Sequence, residues 1–471
     1  MHTAKSAALV VMLATFACAL ASPDHMLVLC VGGSLAAAIW MLWPSTDAPV
    51  LLLPFGLQWL SVAMKPIETA LTGQPLDSLG DFGQPLTDAA WLALAGVSAL
   101  GFGMWLASRQ PNVNWAATLD RDASRWSEGL VVQISIALIA IGTALQIATP
   151  HAGPATQIVL SFAWARNAGL FVLAYWCLKQ GKSLWILAMV TGFEVVIGLT
   201  GFFATFRETF LVLLIAAAAA RPRLGFRGFL ITGGVFAAML TVTVFWSAIK
   251  TDYRDFLNAG SHQQEVVRSL SDRLSYVGQA ADQFDDDQFR TGLRKLGARI
   301  SYIDFLASTM KYVPEVLPHE NGRRLGEAFA NIFEPRILFP DKPPTPDDTT
   351  VTAHYTGLHL EGTVGTSISI GYLGELYIDF GRVGAVIGAF VIGLFAGLAY
   401  RVIRGFKGIP LFFSYGIATM VLVNFAIFET DLVRFLGSAI TICLAGIVLQ
   451  RAVAPQVLLA LANRDVGMRA A

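Results

Sequence analysis

Apolar residues fall in long runs divided by short polar breaks, near 5–21, 26–43, 49–64, 87–107, 129–149, 156–178, 183–203, 206–220, 227–249, 381–400, 410–428 and 432–450. As α-helices rising 1.5 Å per residue, such runs cross a hydrocarbon layer of about 30 Å. Membrane β-strands alternate in polarity and do not give continuous runs of this kind. The pattern therefore predicts an all-α integral membrane protein with about twelve transmembrane helices. The run at 206–220 is short, and either tilts or joins its predecessor through Gly201. Lys5, an apolar stretch and Ala19-Leu20-Ala21 before Ser22 follow the pattern of a signal peptide, but a second apolar run begins almost at once, which favours an uncleaved first span.

One interruption stands apart, a polar stretch over 250–365, far longer than ordinary connections of about 4–6 residues. It divides the chain into an N-terminal bundle (1–249), a large loop (250–365) and C-terminal spans (366–471). Within the loop, Arg290–Tyr312 places Leu293, Leu296, Ile300, Ile303, Phe305 and Leu306 among charges, which predicts one or two amphipathic helices. Asn321-Gly322 marks a turn, and Thr345–Thr352 is polar enough to be a mobile flap. The Gly-Gln-Pro-Leu sequence occurs at 73 and again at 83, which predicts two similar turns. Past the loop, Tyr372, Glu375 and Asp379 share a helical face, with Arg382 one turn further. The spacing of Gly384/Gly388 and Gly393/Gly397 favours close helix packing.

Composition agrees with a membrane location: 55% of the 471 residues are hydrophobic and 14% charged, where a soluble chain carries about 25%. Net charge is zero, which gives no general attraction to nucleic acid. Lys and Arg concentrate in one set of short loops (Arg109, Arg121, Arg125, Lys179, Lys182, Arg221, Arg223, Arg227, Arg401, Arg404, Lys407, Arg451 and Arg464) and are sparse in the alternate set. That asymmetry puts both termini in the cytoplasm and the 250–365 loop outside. Cys18, Cys30, Cys177 and Cys443 all lie in apolar runs, which leaves the loop neither a disulfide framework nor a cysteine metal site.

Candidate chemistry follows from placement. The stretch Glu334–Pro344 carries Arg336 and Lys342 between prolines that restrict the backbone. The planar guanidinium fork suits phosphate, so Arg336 and Lys342, with Arg207, Arg299 and Arg434 near the outer surface, form a candidate anion site. Interfacial arginines also reach lipid headgroups without any such role. Arg166 and Glu194 lie deeper, and fit either a structural pair between neighbouring helices or a functional site. His354 and His359 are five apart, a spacing that does not bring two ligands together on a helix or strand, and Gly357 between them argues against a helix; a solvated histidine or a general base fits better than a metal. Tyr302, Tyr355 and Trp246 could stack on sugar rings or serve as interface aromatics. No nucleotide-binding glycine loop occurs, so the energy for any reaction would come from the substrate.

Arg299-Ile-Ser-Tyr-Ile, Val313-Pro314, Gly326 and Glu334-Pro-Arg-Ile-Leu-Phe-Pro-Asp-Lys-Pro resemble the outer loop of Wzy-type polymerases of oligosaccharide repeat units. Gly371-Tyr-Leu-Gly-Glu-Leu-Tyr-Ile-Asp-Phe-Gly is similar to an element of that family in which Asn commonly stands at the place of Asp379, and Phe206-Arg207-Glu208 resembles its arginine at the start of a span. The resemblance implies a GT-C-like glycosyltransferase of the bacterial inner membrane, acting without a metal or other cofactor. Its substrates would be undecaprenyl-diphosphate-linked oligosaccharides in O-antigen, capsule or exopolysaccharide synthesis. A flippase and a chain-length regulator would be its partners. In that setting Arg336, Glu375 and His354 are the expected catalytic residues. Arg207, Arg299, Lys342, Tyr377, Arg434 and Arg166 are expected to bind the diphosphate and glycan. An O-antigen ligase-like enzyme and a lipid-linked glycan flippase or exporter are the alternatives.

Overall fold

In the computed structural model the described residues are 2–458, apart from 111–112, 202–205, 221–225, 262–265, 335–337, 340, 343–345, 361–367 and 428–429; side chains at 2–3, 150, 226–233, 235–236 and 298–299 are also outside the description. Every regular element among the described residues is helical. The N-terminal part contains α1 (His2–Ala21), α2 (His25–Leu42), α3 (Leu52–Thr72), α4 (Thr87–Ser108), α5 (Trp115–Ser124) and α6 (Glu128–Ala148). It continues with α7 (Thr156–Ala163), α8 (Ala165–Gln180), α9 (Leu184–Thr200), α10 (Phe206–Ala220) and α11 (Phe226–Leu257). The long polar stretch folds into α12 (Leu270–Asp282), α13 (Asp286–Ile300), α14 (Ile303–Tyr312), α15 (Arg323–Phe333) and α16 (Asp348–Thr356). The chain closes with α17 (Gly371–Arg404), α18 (Leu411–Val423) and α19 (Leu432–Val448).

Seven segments among the described residues are long and apolar enough to cross a membrane: Ala4–Ala21, His25–Leu42, Thr87–Ser108, Glu128–Ala148, Gly153–Gln180, Gly371–Arg404 and Leu432–Leu458. Leu184–Thr200 and Leu411–Ala426 are apolar but shorter. Their outward faces carry bare apolar side chains, among them Leu13, Trp40, Ile141, Trp185 and Val383, as expected of helices whose solvent is lipid. Helix α11 has 32 residues, about 48 Å at 1.5 Å per residue, and its last turns reach into the polar stretch that begins at 250. There Trp246 and Tyr253 pack with Phe206 and Phe210 in a second apolar cluster. Trp246 is only 2% exposed, which leaves it no face for a sugar ring.

Polar contacts sort the loops into two ends. At one end, Arg404 pairs with Asp47 and donates to the Ser108 carbonyl at 2.9 Å. At the same end Ala116 N–H reaches the Thr46 carbonyl at 2.9 Å, Lys179 meets Asp120 at 2.7 Å, and Leu411 N–H reaches Asp122 at 2.8 Å. At the other, Ser22 bonds Thr69, Leu76 N–H reaches Asp24 at 2.7 Å, and Lys65 meets Asp81, whose own N–H donates to Asp304 of α14 at 2.8 Å. The long polar segment thus sits on the second end.

The central contact pairs α4 with α17. A Cβ on Gly393 would lie 2.1 Å from the Leu100 carbonyl oxygen, and one on Gly397 would lie 2.4 Å from that of Met104. These two glycines let the backbones touch, as their spacing predicts. In the polar segment, Arg290–Tyr312 does form two helices, parts of α13 and α14. Asn321 and Gly322 both adopt positive φ, 51° and 93°, in the expected turn. The flap expected at Thr345–Thr352 is instead largely helical: Asp347 caps α16 by accepting the Thr349 and Thr350 N–H groups, and Thr352 is fully buried. Gly357 ends that helix in a left-handed conformation, so the glycine read as forbidding a helix near His354 is its C-terminal stop.

Candidate functional site

The candidate site lies where α15, α16, α17 and α19 meet, and its geometry starts with a break. Gly381 has φ 67° and ψ −165° within α17, a region open essentially to glycine alone. The break takes the carbonyls of Ile378 and Asp379 out of the helical ladder, since their partners four residues on lie beyond it. The segment before α15 fills the gap: Glu320 N–H donates to the Ile378 carbonyl at 3.0 Å and Asn321 N–H to that of Asp379 at 3.1 Å. His319 Nδ1 lies 3.1 Å from the same Ile378 oxygen. The break also turns Arg382 away from the face it was expected to share with Glu375 and Asp379; it pairs with Asp88 of α4 instead.

On the face just before the break, Tyr372, Glu375 and Asp379 are all buried. Asp379 caps α15, its two oxygens accepting the Arg324 N–H at 3.0 Å and the Leu325 N–H at 2.8 Å. That brings the Arg324 side chain inward, where Nη2 donates to Glu375 Oε2 at 3.1 Å and Nη1 to Glu327 Oε2 at 2.7 Å. Arg324 is 6% exposed and Glu375 1%. Burial opposes the charge on Arg324, but the Glu375 and Glu327 carboxylates overcome it and hold the guanidinium above its ordinary value. Glu375 also accepts the N–H of Leu432, which ties α17 to the start of α19.

Two half-exposed cations flank this pair. Arg434 pairs with Asp348 of α16 and lies 3.4 Å from Asp431, the N-cap of α19. Arg323 holds Glu320 through two bonds of 2.7 Å and donates to the Tyr355 hydroxyl at 2.8 Å. The hydrogen bonds from Arg323 hold the Glu320 carboxyl below its usual range, and burial, then the bond to Glu320, push the Tyr355 phenol up to about 12. His354 is exposed, its ring edge-on to Tyr355 with centroids 4.7 Å apart. The Arg323 and Arg434 side chains remain 54% and 43% exposed, so both can meet a ligand while the buried pair between them stays fixed.

Of the residues expected from sequence, Glu375, His354 and Arg434 come together here. Tyr377 is buried, its hydroxyl donating to the Val313 carbonyl at 2.9 Å and its ring edge-on to His319. Tyr355, considered for sugar stacking, is likewise buried and engaged with Glu320 and Arg323. Lys342 donates to the carbonyls of Asn331 (2.8 Å) and Glu334 (2.9 Å) at the C-terminal end of α15, where a cation also meets the negative helix end. Arg166 lies elsewhere, 3.8 Å from Glu194 as the pairing predicts, and 3.3 Å from Glu208, a second acid that sequence reading did not join to it. Arg207 is exposed at the start of α10. Arg336 and the Arg299 side chain lie outside the described residues.

Arg323 and Arg324 were not singled out from sequence. The available signal was local: two arginines directly after an Asn-Gly turn, opening a helix whose far face ends in Phe329 and Phe333. A buried glutamate in an apolar segment needs a cation, but sequence does not say which. No group of three or more His, Cys, Asp or Glu suited to a metal ion occurs among the described residues. No family model, curated protein or solved structure matches this chain.

Proposed function

We propose that this protein is a membrane glycosyltransferase that polymerises lipid-linked oligosaccharide repeat units. The observation that carries the reading is the placement of exposed Arg323 and Arg434 around the fixed Arg324–Glu375 pair, beside exposed His354, at the ends of long apolar helices. In this reading the chain crosses the bacterial inner membrane about twelve times in a GT-C-like arrangement, with the loop-bearing end outside. A diphosphate on a polyprenyl lipid would then reach the arginines from the outer leaflet. Arg323 and Arg434, with Arg336, bind its oxygens and stabilise the charge that develops as it leaves. An acceptor-sugar hydroxyl forms the new bond to the anomeric carbon as the bond from that carbon to the diphosphate oxygen breaks. The hydroxyl proton passes to His354, an exposed imidazole on α16. Glu375, shut from solvent, holds Arg324 in place, which narrows the catalytic role first expected of it to positioning.

The test is the size distribution of lipid-linked glycan after deletion of the gene. Accumulated single units at the outer face, with long chains lost, support polymerisation. Long chains that stay on the lipid point to a ligase and overturn it. A specific observation favours a flippase as the second reading: Arg166, Glu194 and Glu208 place charges between α8, α9 and α10 within the bundle. Single units trapped on the inner face would establish that reading instead.

A further inference from the structure

The end of the molecule opposite the candidate site carries its own pocket. Asp47, between α2 and α3, is 6% exposed and collects the Arg404 guanidinium and the hydroxyls of Tyr400 and Tyr415. Arg404 is itself 2% exposed, with Nη2 donating to the Ser108 carbonyl at 2.9 Å and to Gln110 Oε1 at 3.2 Å. Its guanidinium carbon sits 4.8 Å from the centre of the Trp115 ring and 4.7 Å from that of Tyr400. Beside this knot is a cavity of about 340 Å³, lined by Arg404, Trp115, Trp40, Trp105 and Arg109 among others. Arg109 is exposed, with its guanidinium 4.8 Å from the centre of the Trp105 ring.

Two observations say that the pocket expects an acceptor. Arg404 Nε and Trp115 Nε1 are buried donors with no hydrogen-bond partner among the described residues, and both belong to side chains that line the cavity. Orphaned buried donors are rare and call for explanation. The charges do not balance either: Asp47 offsets Arg404, and Arg109 leaves the lining one positive charge in excess. An anion with several oxygens resolves both.

Its source follows from where the pocket opens. Trp40, Trp105 and Arg404 lie in the last turns of α2, α4 and α17, each within a segment long enough to span a membrane. Trp40 is 62% exposed on the outward side of α2. Tryptophan favours the headgroup level of a bilayer, and so the mouth of the cavity lies where phosphates are concentrated. We infer that this pocket binds a phosphate-bearing ligand, with an anionic phospholipid headgroup of the adjoining leaflet as its source. The phosphate oxygens take the free donors of Arg404 and Trp115, and Arg109 closes over them.

The test uses the full chain purified in detergent and stripped of lipid, with native mass spectrometry counting what it retains. The probes are phosphatidylglycerol, phosphatidylcholine and soluble glycerol 3-phosphate. One phosphatidylglycerol should be retained at concentrations at which phosphatidylcholine is not. Arg109→Gln and Trp115→Phe should each weaken that retention at least threefold, while Arg382→Gln at the opposite end leaves it unchanged. Trp115→Phe keeps the ring and removes only the donor, so it reports on the site even if Arg109→Gln disturbs the fold. Equal retention by the parent and both pocket variants would overturn the inference. Glycerol 3-phosphate displacing the lipid at equal concentration would overturn the lipid source.

Discussion

Asp379 caps a helix distant in sequence, its two oxygens taking the N–H groups of Arg324, 55 residues before it, and of Leu325. A carboxylate can accept at both oxygens, whereas an asparagine amide offers one oxygen and an NH2 that would face a donor. Asp379→Asn should therefore lower stability by about 1 kcal/mol, the usual cost of a lost helix cap. Thermal unfolding in detergent checks it; an unchanged midpoint would show that the cap does not need both oxygens.

The buried pair beside it makes a sharper case. Arg324→Met leaves Glu375 enclosed without its cation, which costs about 3–5 kcal/mol. Replacing both partners, Arg324→Met with Glu375→Leu, should recover most of that loss, because no uncompensated charge remains. Additive losses in the double variant would mean that the two side chains do not interact.

Gly381→Ala forces the choice between a straight helix and a strained one. Space for the methyl exists, with His319 atoms 3.6 Å away, but the φ of 67° with ψ −165° disfavours it, by about 1–3 kcal/mol. If α17 straightens, the Ile378 and Asp379 carbonyls return to their own helix and release residues 319–321. Limited proteolysis should then cut near Asn321 faster than in the parent protein.

Acid should loosen the same corner. Arg323 holds the Glu320 carboxyl below its ordinary value, and an unfolded glutamate titrates near pH 4.3. A group depressed on folding contributes stability above its unfolded value and loses it as pH falls through the folded one. Glu320→Gln should flatten the pH dependence of unfolding below about pH 4.3, and a slope identical to the parent's would remove Glu320 from the account.

For the proposed reaction, Arg323→Gln and Arg434→Gln should each shorten the polymer made in cells by tenfold or more, with protein level unchanged. Arg434→Lys should fail nearly as badly, since an ammonium cannot reproduce the guanidinium fork. His354→Asn should lower the rate while leaving substrate binding intact, as read by in vitro turnover against donor concentration. Full activity in that variant would send the search for the proton acceptor elsewhere.

Much of this architecture could be read from residue pattern, because a helix in lipid must be long and apolar wherever it stands. Among the described residues, seven of the expected runs fall on helices long and apolar enough to cross a membrane. The Arg166–Glu194 pair was also legible, since charges in an apolar run must find one another. What pattern did not reveal was long-range or subtractive. Glu208 joins Arg166 across 42 residues, and Arg324 joins Glu375 across 51, separations that a single sequence does not encode as pairing. The Gly381 break was invisible because glycine inside an apolar run is common in membrane helices. Reading straight through it put Arg382 on the wrong face.

That break gives the polar segment an attachment written in peptide groups. Residues 320 and 321 dock through their own N–H groups onto two main-chain oxygens of α17, a joint made by the backbone, with the positive φ at 321 favouring asparagine or glycine there. The surface above it can therefore drift in sequence, and so in what it recognises, while its seat on the bundle stays where Gly381 puts it.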